Sequence, residues 1–462
     1  MIVSEKDQKP KKPARCASAR GVGVTDASAV SAADSSLVSI NERALSQDLM
    51  ERICSRANLN AAFRRVKSNK GAGGIDDMSV DDLHKWLIEN GADLVRTLIE
   101  DRYQPSAIRS VKIPKATGGM RQLGIPTVVD RLVQQAIVQV LSPILEREFS
   151  DHSYGFRPGR GAHDALKRAQ GFVESGLEFV VDIDFENFFD RVNHDILMSR
   201  LCKHVDDKRL LRLIRRFLQA GMMENGVVTS RNEGTPQGGP LSPLLANLLL
   251  DDLDKELERR GHKFCRYADD CNVYVGSQAA ADRVLSSVTS WAERKLKLRV
   301  NKSKSAASLC VERKFLGYRL TPSGLAIAPE SLVRLRTKLK AITRRRCPGA
   351  VKDRFKEINQ IAVGWTQYFR YARCRHHLTA IDSWLRRRIR CLILHQCKRS
   401  YTRFRLLVKY GVPNWQAWTL ALSGKCMWRL ATIPTVYQAL SNKLLAERGL
   451  KSFEAYYLGL TS

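Results

Sequence analysis

The chain has few acidic residues for its length, and several common sequence signatures are missing from it. Its 462 residues carry 47 Asp and Glu against 77 Lys and Arg, a net charge of +30. The eleven cysteines include no C-x-x-C pair, which argues against a zinc ribbon or knuckle, and a chain this long does not need a disulfide framework. No apolar run approaches the ~18 residues of a membrane-spanning helix. Charged residues near the start interrupt the apolar core that a signal peptide requires.

These absences, together with the excess of positive charge, favour a nucleic acid as the partner. A surface this basic attracts phosphate backbones, with an affinity that falls steeply as salt is added. The competing partner is a membrane surface, but no basic amphipathic anchor stands alone in the sequence, so no membrane association is expected. The glycine-rich loop at 70–76 lacks the Gly-Lys-Ser/Thr ending of a Walker A loop, which makes it a weak nucleotide signal.

The side chains best suited to chemistry form an adjacent acidic pair. Asp269 and Asp270 stand between two short apolar runs within 263–275, a pattern that predicts a β-hairpin with the pair at or near its turn. Two like charges placed together are electrostatically unfavourable, and a divalent cation would offset that cost. An isolated Asp-Asp pair is more often an ordinary turn, so the interpretation depends on the motifs around it.

A second acidic segment lies upstream. Residues 179–185 alternate as a half-buried strand does, which puts Asp182 and Asp184 on one face. If this strand pairs with the hairpin, three carboxylates converge. Hard oxygen ligands of this kind suit Mg²⁺, and two such ions can clamp the attacking and leaving oxygens of an in-line phosphoryl displacement.

The remaining segments differ in composition. Residues 1–40 are rich in Ser, Ala and Gly and predict a disordered basic tail. Residues 107–126 predict a hairpin with one cationic face, a helix is expected over 128–149, and a strongly apolar helix is expected from 244 to about 257. Long basic helices follow from about 325: residues 331–410 contain 22 Lys and Arg but 3 Asp and Glu, with aromatic residues between them. A mixture of positive and negative charges would serve solubility better, so this excess of positive charge predicts contact with nucleic acid.

Eight sequence blocks, taken in order, resemble those of bacterial group II intron-encoded reverse transcriptases and maturases. They lie at 69–76, 113–127, 154–160, 182–190, 234–243, 267–270, 301–304 and 315–318. One block alone would be weak, but eight in order, in a match that runs from about 41 to the end, are specific. The resemblance implies an α+β fold: a right-hand polymerase with fingers, a palm on an antiparallel sheet and a helical thumb, followed by a helical maturase and DNA-binding region.

The same resemblance implies a division of the chain. The tail would be 1–40, the fingers and palm 41–325, the helical thumb or maturase domain 326–410, and a short DNA-binding region 411–462. Family members with a nuclease carry a further cysteine- and histidine-bearing HNH module, and the chain stops at Ser462 without one, so second-strand cleavage is not expected. The implied location is the bacterial cytoplasm, in association with the nucleoid through nucleic-acid binding.

Roles for single residues also follow from the resemblance. Asp184, Asp269 and Asp270 match the catalytic, metal-binding aspartates, with two Mg²⁺ ions expected and Mn²⁺ as the alternative. Asp182 is then structural or supports the ligands from behind, with a role as a ligand itself as the alternative. The positions that match contacts to the incoming dNTP are Lys115, Arg121, Phe189 and Gln237. Independently of the resemblance, the excess of positive charge over 331–410 marks the basic clusters that are expected to bind nucleic acid: Arg344, Arg345, Arg346, Arg386, Arg387 and Arg388.

The implied function is RNA-directed DNA synthesis, in which a primer 3′-hydroxyl attacks the α-phosphate of a dNTP and pyrophosphate leaves. The protein contributes position and charge to such a reaction. As a maturase, the chain would also bind structured intron RNA and assist splicing and retrohoming. The expected partners are intron RNA, an RNA template with a DNA primer, target DNA and dNTPs. Two alternatives stay open: an RNA-binding splicing factor without polymerisation, and a polymerase recruited to repair or phage defence. The intact acidic triad favours the enzyme.

Overall fold

The computed structural model describes residues 48–114, 119–224, 227–229, 231–344 and 350–461. The predicted tail at 1–40 lies outside these ranges, as do three predicted contact residues, Lys115, Arg345 and Arg346.

Helices and strands are mixed along the described chain, which confirms the α+β prediction. The first helices are α1 (Leu49–Cys54), α2 (Arg56–Asn69), α3 (Leu83–Ile99), α4 (Val128–Leu145), α5 (Ala162–Glu174), α6 (His194–Leu201), α7 (Lys208–Gln219), α8 (Ser242–Arg259) and α9 (Gln278–Lys295). The strands are β1 (Ile108–Pro114), β2 (Met120–Ile125), β3 (Phe179–Ile183), β4 (Met222–Glu224), β5 (Val227–Thr229), β6 (Lys263–Tyr267), β7 (Asp270–Val275), β8 (Ala306–Leu309), β9 (Tyr318–Thr321) and β10 (Gly324–Ile327).

Among the described residues after β10, the remaining regular elements are helices. They are α10 (Pro329–Ile342), α11 (Val351–Tyr368), α12 (Arg375–Gln396), α13 (Ser400–Lys409), α14 (Asn414–Leu422), α15 (Met427–Leu430), α16 (Pro434–Ala439), α17 (Asn442–Glu447) and α18 (Phe453–Thr461).

The palm sheet is antiparallel, in the order β6-β7-β3-β8. Alternate residues of each strand enter different apolar clusters: Val181 and Ile183 of β3 join one cluster, whereas Val180 joins the other. The sheet is therefore covered on both faces, which the prediction of a half-buried strand did not anticipate. The strand also ends at Ile183 instead of continuing to 185.

The fingers sheet has the order β2-β1-β4-β5. The antiparallel pairing of β1 with β2 runs from Arg109 opposite Ile125 to Pro114 opposite Met120, which confirms the predicted hairpin. β4 lies parallel to β1 on its other side. The fingers are thus joined to the segment that leads into the loop at 234–243.

Two large apolar clusters hold the described part of the protein together, beside a small third one formed by Val66, Val80, Leu83 and Val128. The first packs α1–α4 and α6–α9 against one face of the palm sheet. The second begins at Tyr154, includes α5 and the other face of the sheet, and continues through the C-terminal helices to Phe453. It crosses the predicted boundaries at 325 and 410, which stay predictions.

Helix α4 is the core helix of the first cluster. Thr127 caps its N-terminus by accepting a hydrogen bond from the backbone N–H of Asp130. Among the described residues it is the one helix long and apolar enough to cross a membrane by length and composition, with 56% of its window buried inside the protein. Polar residues such as Asp130, Arg131 and Gln134 interrupt the helix, so the sequence shows no continuous apolar run of that length.

Candidate active site

The acidic pair lies at the tip of the β6–β7 hairpin, as predicted. Tyr267 pairs with Asp270, so the turn consists of Ala268 and Asp269. Ala268 has a φ of 58°, a left-handed conformation that is costly for a residue with a Cβ atom. Surrounding contacts must therefore hold this turn in place.

The predicted pairing of the second acidic segment with the hairpin is also confirmed. β3 lies antiparallel to β7, with Ile183 opposite Cys271 and Asp182 opposite Asn272. Asp184 follows the strand directly and therefore emerges beside the start of β7, where Asp270 stands. The sheet brings all three predicted catalytic carboxylates to one end of the palm.

The carboxylates at this end of the sheet lie in an electrostatically unfavourable environment. Burial raises the pKa of Asp270 to about 8, and the charges of Asp182, Asp269 and Asp184 add to that rise. Burial also raises the pKa of Asp269; Asp184 adds to this rise, and Arg121 opposes it. A cation placed here would stabilise the ionised carboxylates.

A divalent ion fits this donor set, because the available ligands are carboxylate oxygens. Asp184, Asp269 and Asp270 are the residues that would hold it, and when bound it would neutralise phosphate charge. Within the described ranges, no three His, Cys, Asp or Glu side chains stand close enough to hold one ion jointly. The carboxylates are thus near neighbours rather than a preformed chelate.

Asp182 has a different partner from the other carboxylates. Its Oδ2 accepts hydrogen bonds from Arg313 Nη2 at 2.6 Å and Nε at 3.1 Å. The same guanidinium donates to the backbone carbonyl of Lys304. These contacts favour the structural role predicted for Asp182.

The block at 301–304 anchors the backbone of Asp184. The Asp184 carbonyl accepts a hydrogen bond from the Asn301 N–H at 2.8 Å, and its N–H donates to Ser305 Oγ at 2.9 Å. Lys304 Nζ lies 3.3 Å from Asp184 Oδ2. These contacts explain why β3 ends before Asp184: its backbone pairs with a turn instead of a strand.

Behind the hairpin lies a buried ion pair that the sequence analysis missed. Arg266 and Asp254 are both completely buried, and Arg266 Nε and Nη2 lie 2.7 and 2.5 Å from the two Asp254 carboxylate oxygens. Arg266 Nη1 also donates to the Ala268 carbonyl at 2.9 Å and to Asn247 Oδ1 at 3.0 Å. A charged residue inside an otherwise apolar strand was the available signal.

The block at 154–160 packs against the same turn. A Cβ atom at Gly155 would lie 2.3 Å from the Ala268 nitrogen, so only glycine allows this approach. Asn247 Nδ2 donates to the Gly155 carbonyl at 2.9 Å. Arg266, Asn247 and Gly155 together fix the turn that carries Asp269.

The predicted dNTP residues that the structure describes gather around the loop at 234–243. Arg121 Nε donates to Gln237 Oε1 at 2.6 Å, and the Gln237 carbonyl accepts from the Gly124 N–H at 2.8 Å. The Phe189 carbonyl accepts from the Thr235 N–H at 2.6 Å, while its half-buried ring packs against the first cluster. The positive charge of Arg121 acts to lower the pKa of Asp269, so these residues lie near enough to the palm carboxylates to influence them.

The thumb arginines hold helices together. Arg387 donates to the Trp428 carbonyl and stacks over the Trp428 ring at 4.0 Å. Arg388 donates to Thr343 Oγ1 and to carbonyls at the end of α10. Arg386 lies 3.9 Å from Asp382, whereas Arg344 is exposed. Their predicted nucleic-acid contacts stay predictions.

The turn at 315–318 borders a cavity of about 670 Å³. Leu316 and Gly317 both have left-handed φ values, and the Leu316 carbonyl accepts a hydrogen bond from the Tyr368 hydroxyl. Trp365 and two cations, Arg334 and Lys338, also line the cavity. The turn at 315–318 therefore faces the helices α10 and α11.

Comparisons with known proteins agree with this geometry. Residues 113–320 match the family described as reverse transcriptase (RNA-dependent DNA polymerase), and residues 332–411 match the group II intron, maturase-specific domain. Protein YkfC of Escherichia coli K12 is 32% identical over 315 residues, which cover 59% of this chain and 83% of YkfC.

Two further similarities cover smaller parts of the other chains. The group II intron-encoded protein LtrA of Lactococcus lactis subsp. cremoris is 38% identical over 208 residues, covering 44% of this chain. That match spans 34% of LtrA, about a third of its length. A chain of a solved structure, the "Partial Cas6-RT-Cas1--Cas2 complex", is 27% identical, with 55% of this chain and 43% of that chain covered and a TM-score of 0.36.

Proposed function

This chain belongs to the family of group II intron-encoded reverse transcriptases and maturases, and from that premise we propose that it is an RNA-directed DNA polymerase. The substrates proposed are an RNA template with a DNA primer and dNTPs, and the proposed ion is Mg²⁺, with Mn²⁺ as the alternative. Structured intron RNA and target DNA are the further proposed partners. Cytoplasmic location beside the nucleoid stays a prediction.

The convergence of Asp184, Asp269 and Asp270 at one end of the palm sheet carries the proposal. Strand pairing holds these three carboxylates beside one another. Their mutual repulsion does not stabilise the fold, and it contributes to the raised pKa of Asp270. Their oxygens suit the ions that assist phosphoryl transfer. Arg121 of the fingers hairpin, which is bonded to Gln237 of the loop at 234–243, acts on Asp269 electrostatically, and its positive charge would neutralise triphosphate charge.

Primer extension on an RNA template tests the proposal. We expect the wild type to extend a DNA primer with dNTPs and Mg²⁺, and to stop when EDTA removes the ion. Asp269→Ala is expected to reduce extension to background, because it removes a metal ligand, while RNA binding is retained because no basic contact is lost. Asp93→Ala, which removes an exposed carboxylate on α3, is the matched control and should extend normally.

Two outcomes would contradict this assignment. Normal extension by Asp269→Ala would show that the carboxylate site is wrong. No extension by the wild type, together with tight binding to structured RNA, would instead support the splicing-only maturase. That second function is favoured by one separate observation, the match of residues 332–411 to the maturase-specific domain.

A further inference from the structure

Phe156, in the block at 154–160, leaves most of its ring in contact with solvent. The side chain is 60% exposed, although a phenylalanine usually supplies buried area to a core or an interface. Its φ of 58° is left-handed, which is a strained conformation for a bulky residue with a Cβ atom. The fold therefore holds a large apolar side chain in an unfavourable backbone conformation and gains little burial from it.

The residues on either side of Phe156 fix this conformation. Gly155 lies so close to the tip of the β6–β7 hairpin that a Cβ atom there would stand 2.3 Å from the Ala268 nitrogen. Arg157 is buried, and its Nη1 donates a hydrogen bond to the Ser153 carbonyl at 3.0 Å. Strain that its surroundings enforce in this way is typical of active sites, where it holds a group ready for a ligand.

The Phe156 ring stands at one end of an aromatic row that passes the acidic tip of the hairpin. Its centroid lies 6.5 Å from that of Tyr267, the residue opposite Asp270 in the hairpin. Burial raises the pKa of the Tyr368 hydroxyl, and Tyr267 adds to this rise, so these two tyrosines are neighbours. The Tyr368 hydroxyl in turn donates to the Leu316 carbonyl. The row therefore connects Phe156 with the turn that contains Leu316.

The aromatic row and the fingers suit different parts of the substrates. Arg121, bonded to Gln237, directs a positive charge at Asp269, and a cation there complements the triphosphate of an incoming nucleotide. Phe156 and Tyr267 carry no charge, and an uncharged aromatic face suits a base or a sugar rather than a phosphate. The second reacting group beside the carboxylates is the primer end.

We propose that Phe156 positions the primer, with its ring packed against the base and sugar of the 3′-terminal nucleotide, so that the 3′-hydroxyl is held beside the carboxylates. The inference rests on the proposed function for the identity of this substrate. An attacking hydroxyl needs a rigid, preformed contact, because a misplacement of ~1 Å can slow a reaction about 100-fold. A glycine would relieve the backbone strain at this position but would remove the ring.

Fluorescence of 2-aminopurine at the 3′ terminus of the primer tests the contact without dNTPs, and therefore without polymerisation. The full chain, at a saturating concentration, would be bound to an RNA template paired with the labelled DNA primer. An aromatic ring packed against the probe changes its fluorescence, so we expect different signals for the wild type and Phe156→Gly. The same probe placed in the interior of the duplex should give equal signals for the two proteins.

The glycine variant also separates positioning from folding. Phe156→Gly accepts the left-handed conformation without strain, so the midpoint of denaturant unfolding should not fall. The kcat for single-nucleotide extension should nevertheless fall about ten- to hundredfold. Phe156→Tyr keeps a ring and should retain most of the extension. Lys297→Gly, which replaces another exposed left-handed residue just after α9, is the matched control and should change neither extension nor the probe signal.

Three results would overturn the proposal. The first is equal fluorescence of the terminal probe with the wild type and with Phe156→Gly. The second is a wild-type kcat in Phe156→Gly. The third is a lower unfolding midpoint in that variant together with its loss of extension, which would make the residue structural. If the wild type itself does not extend the primer, the proposed function fails, and the probe comparison still decides whether Phe156 contacts the primer end.

Discussion

At the level of single residues, the turn that carries Asp269 depends on a charge pair inside the protein. Arg266→Gln would leave Asp254 buried without its partner, which we expect to lower the free energy of unfolding by about 3–5 kcal/mol. The Ala268 carbonyl would lose its donor as well, so primer extension should also fall. Denaturant unfolding and primer extension on the same preparations measure both effects.

A double variant separates stability from positioning. Arg266→Met combined with Asp254→Leu removes both buried charges, a change that often restores stability. Extension should nevertheless stay low, because the Ala268 carbonyl and Asn247 Oδ1 still lack their donor. Arg259→Gln, which removes an exposed guanidinium from Glu256 while Arg260 still pairs with that carboxylate, is the matched control and should change neither quantity. Full recovery of extension in the double variant would contradict a positioning role for Arg266.

The same residues show what could and could not be predicted from sequence. The β6–β7 and β1–β2 hairpins are predictable because alternating apolar residues flank a short turn, and the acidic pair at the tip follows from them. The partner of Arg266 is not predictable, since Asp254 lies on a helix that tertiary packing brings behind the strand. The basic run at 386–388 predicts an RNA surface from charge alone, but the carbonyls that Arg387 and Arg388 contact are visible only in the fold.

At the level of elements, His194 connects helix α6 to the loop at 234–243. Its Nε2 lies 2.7 Å from the Gly234 carbonyl, to which only a ring N–H can donate. Burial lowers the pKa of His194; the hydrogen bond and Asp195 oppose this, while Arg231 and Arg215 add to it. Below a pH of about 6.5, the unfolded chain therefore binds a proton at His194 more readily than the folded protein does.

This linkage predicts a pH dependence with a definite sign. The contribution of His194 to stability is present above pH ~6.5 and is lost as the pH falls below that value. His194→Gln should therefore lose stability less steeply than the wild type between pH 7 and pH 5.5, in denaturant unfolding at each pH. The difference between the two proteins should be constant above pH 7.5. Parallel curves over the whole range would contradict the assignment.

A carboxylate of α12 caps the last helix. Asp382 of α12 accepts hydrogen bonds from the backbone N–H groups of Phe453 and Glu454 and from Ser452 Oγ, which caps α18. Asp382→Ala should cost about 1–2 kcal/mol, as the loss of a helix N-cap does. Hydrogen exchange should quicken over 453–461. Ser441→Ala removes the cap of α17 instead and should leave exchange in α18 unchanged.

At the level of the whole molecule, apolar packing and charge serve different purposes. The second cluster runs from Tyr154 in the palm to Phe453 in the last helix, so the palm and the C-terminal helices share one core. The charged residues behind the net charge of +30 contribute little to the stability of that core. Most ion pairs between described residues have at least one exposed partner, and such pairs stabilise the folded state weakly. Salt should therefore affect binding and folding differently.

Raising the salt concentration from 50 to 200 mM tests this separation. If the basic surface neutralises six to ten phosphates, the affinity for structured RNA should fall by about 10³- to 10⁵-fold, because each neutralised phosphate releases counterions. The free energy of unfolding should stay constant or rise slightly, since salt screens the repulsion among like charges. Filter binding and denaturant unfolding at matched salt measure the two. Asp269→Ala removes no cation, so its affinity for RNA should depend on salt as the wild-type affinity does. A wild-type affinity that does not change with salt would contradict phosphate binding by the basic residues.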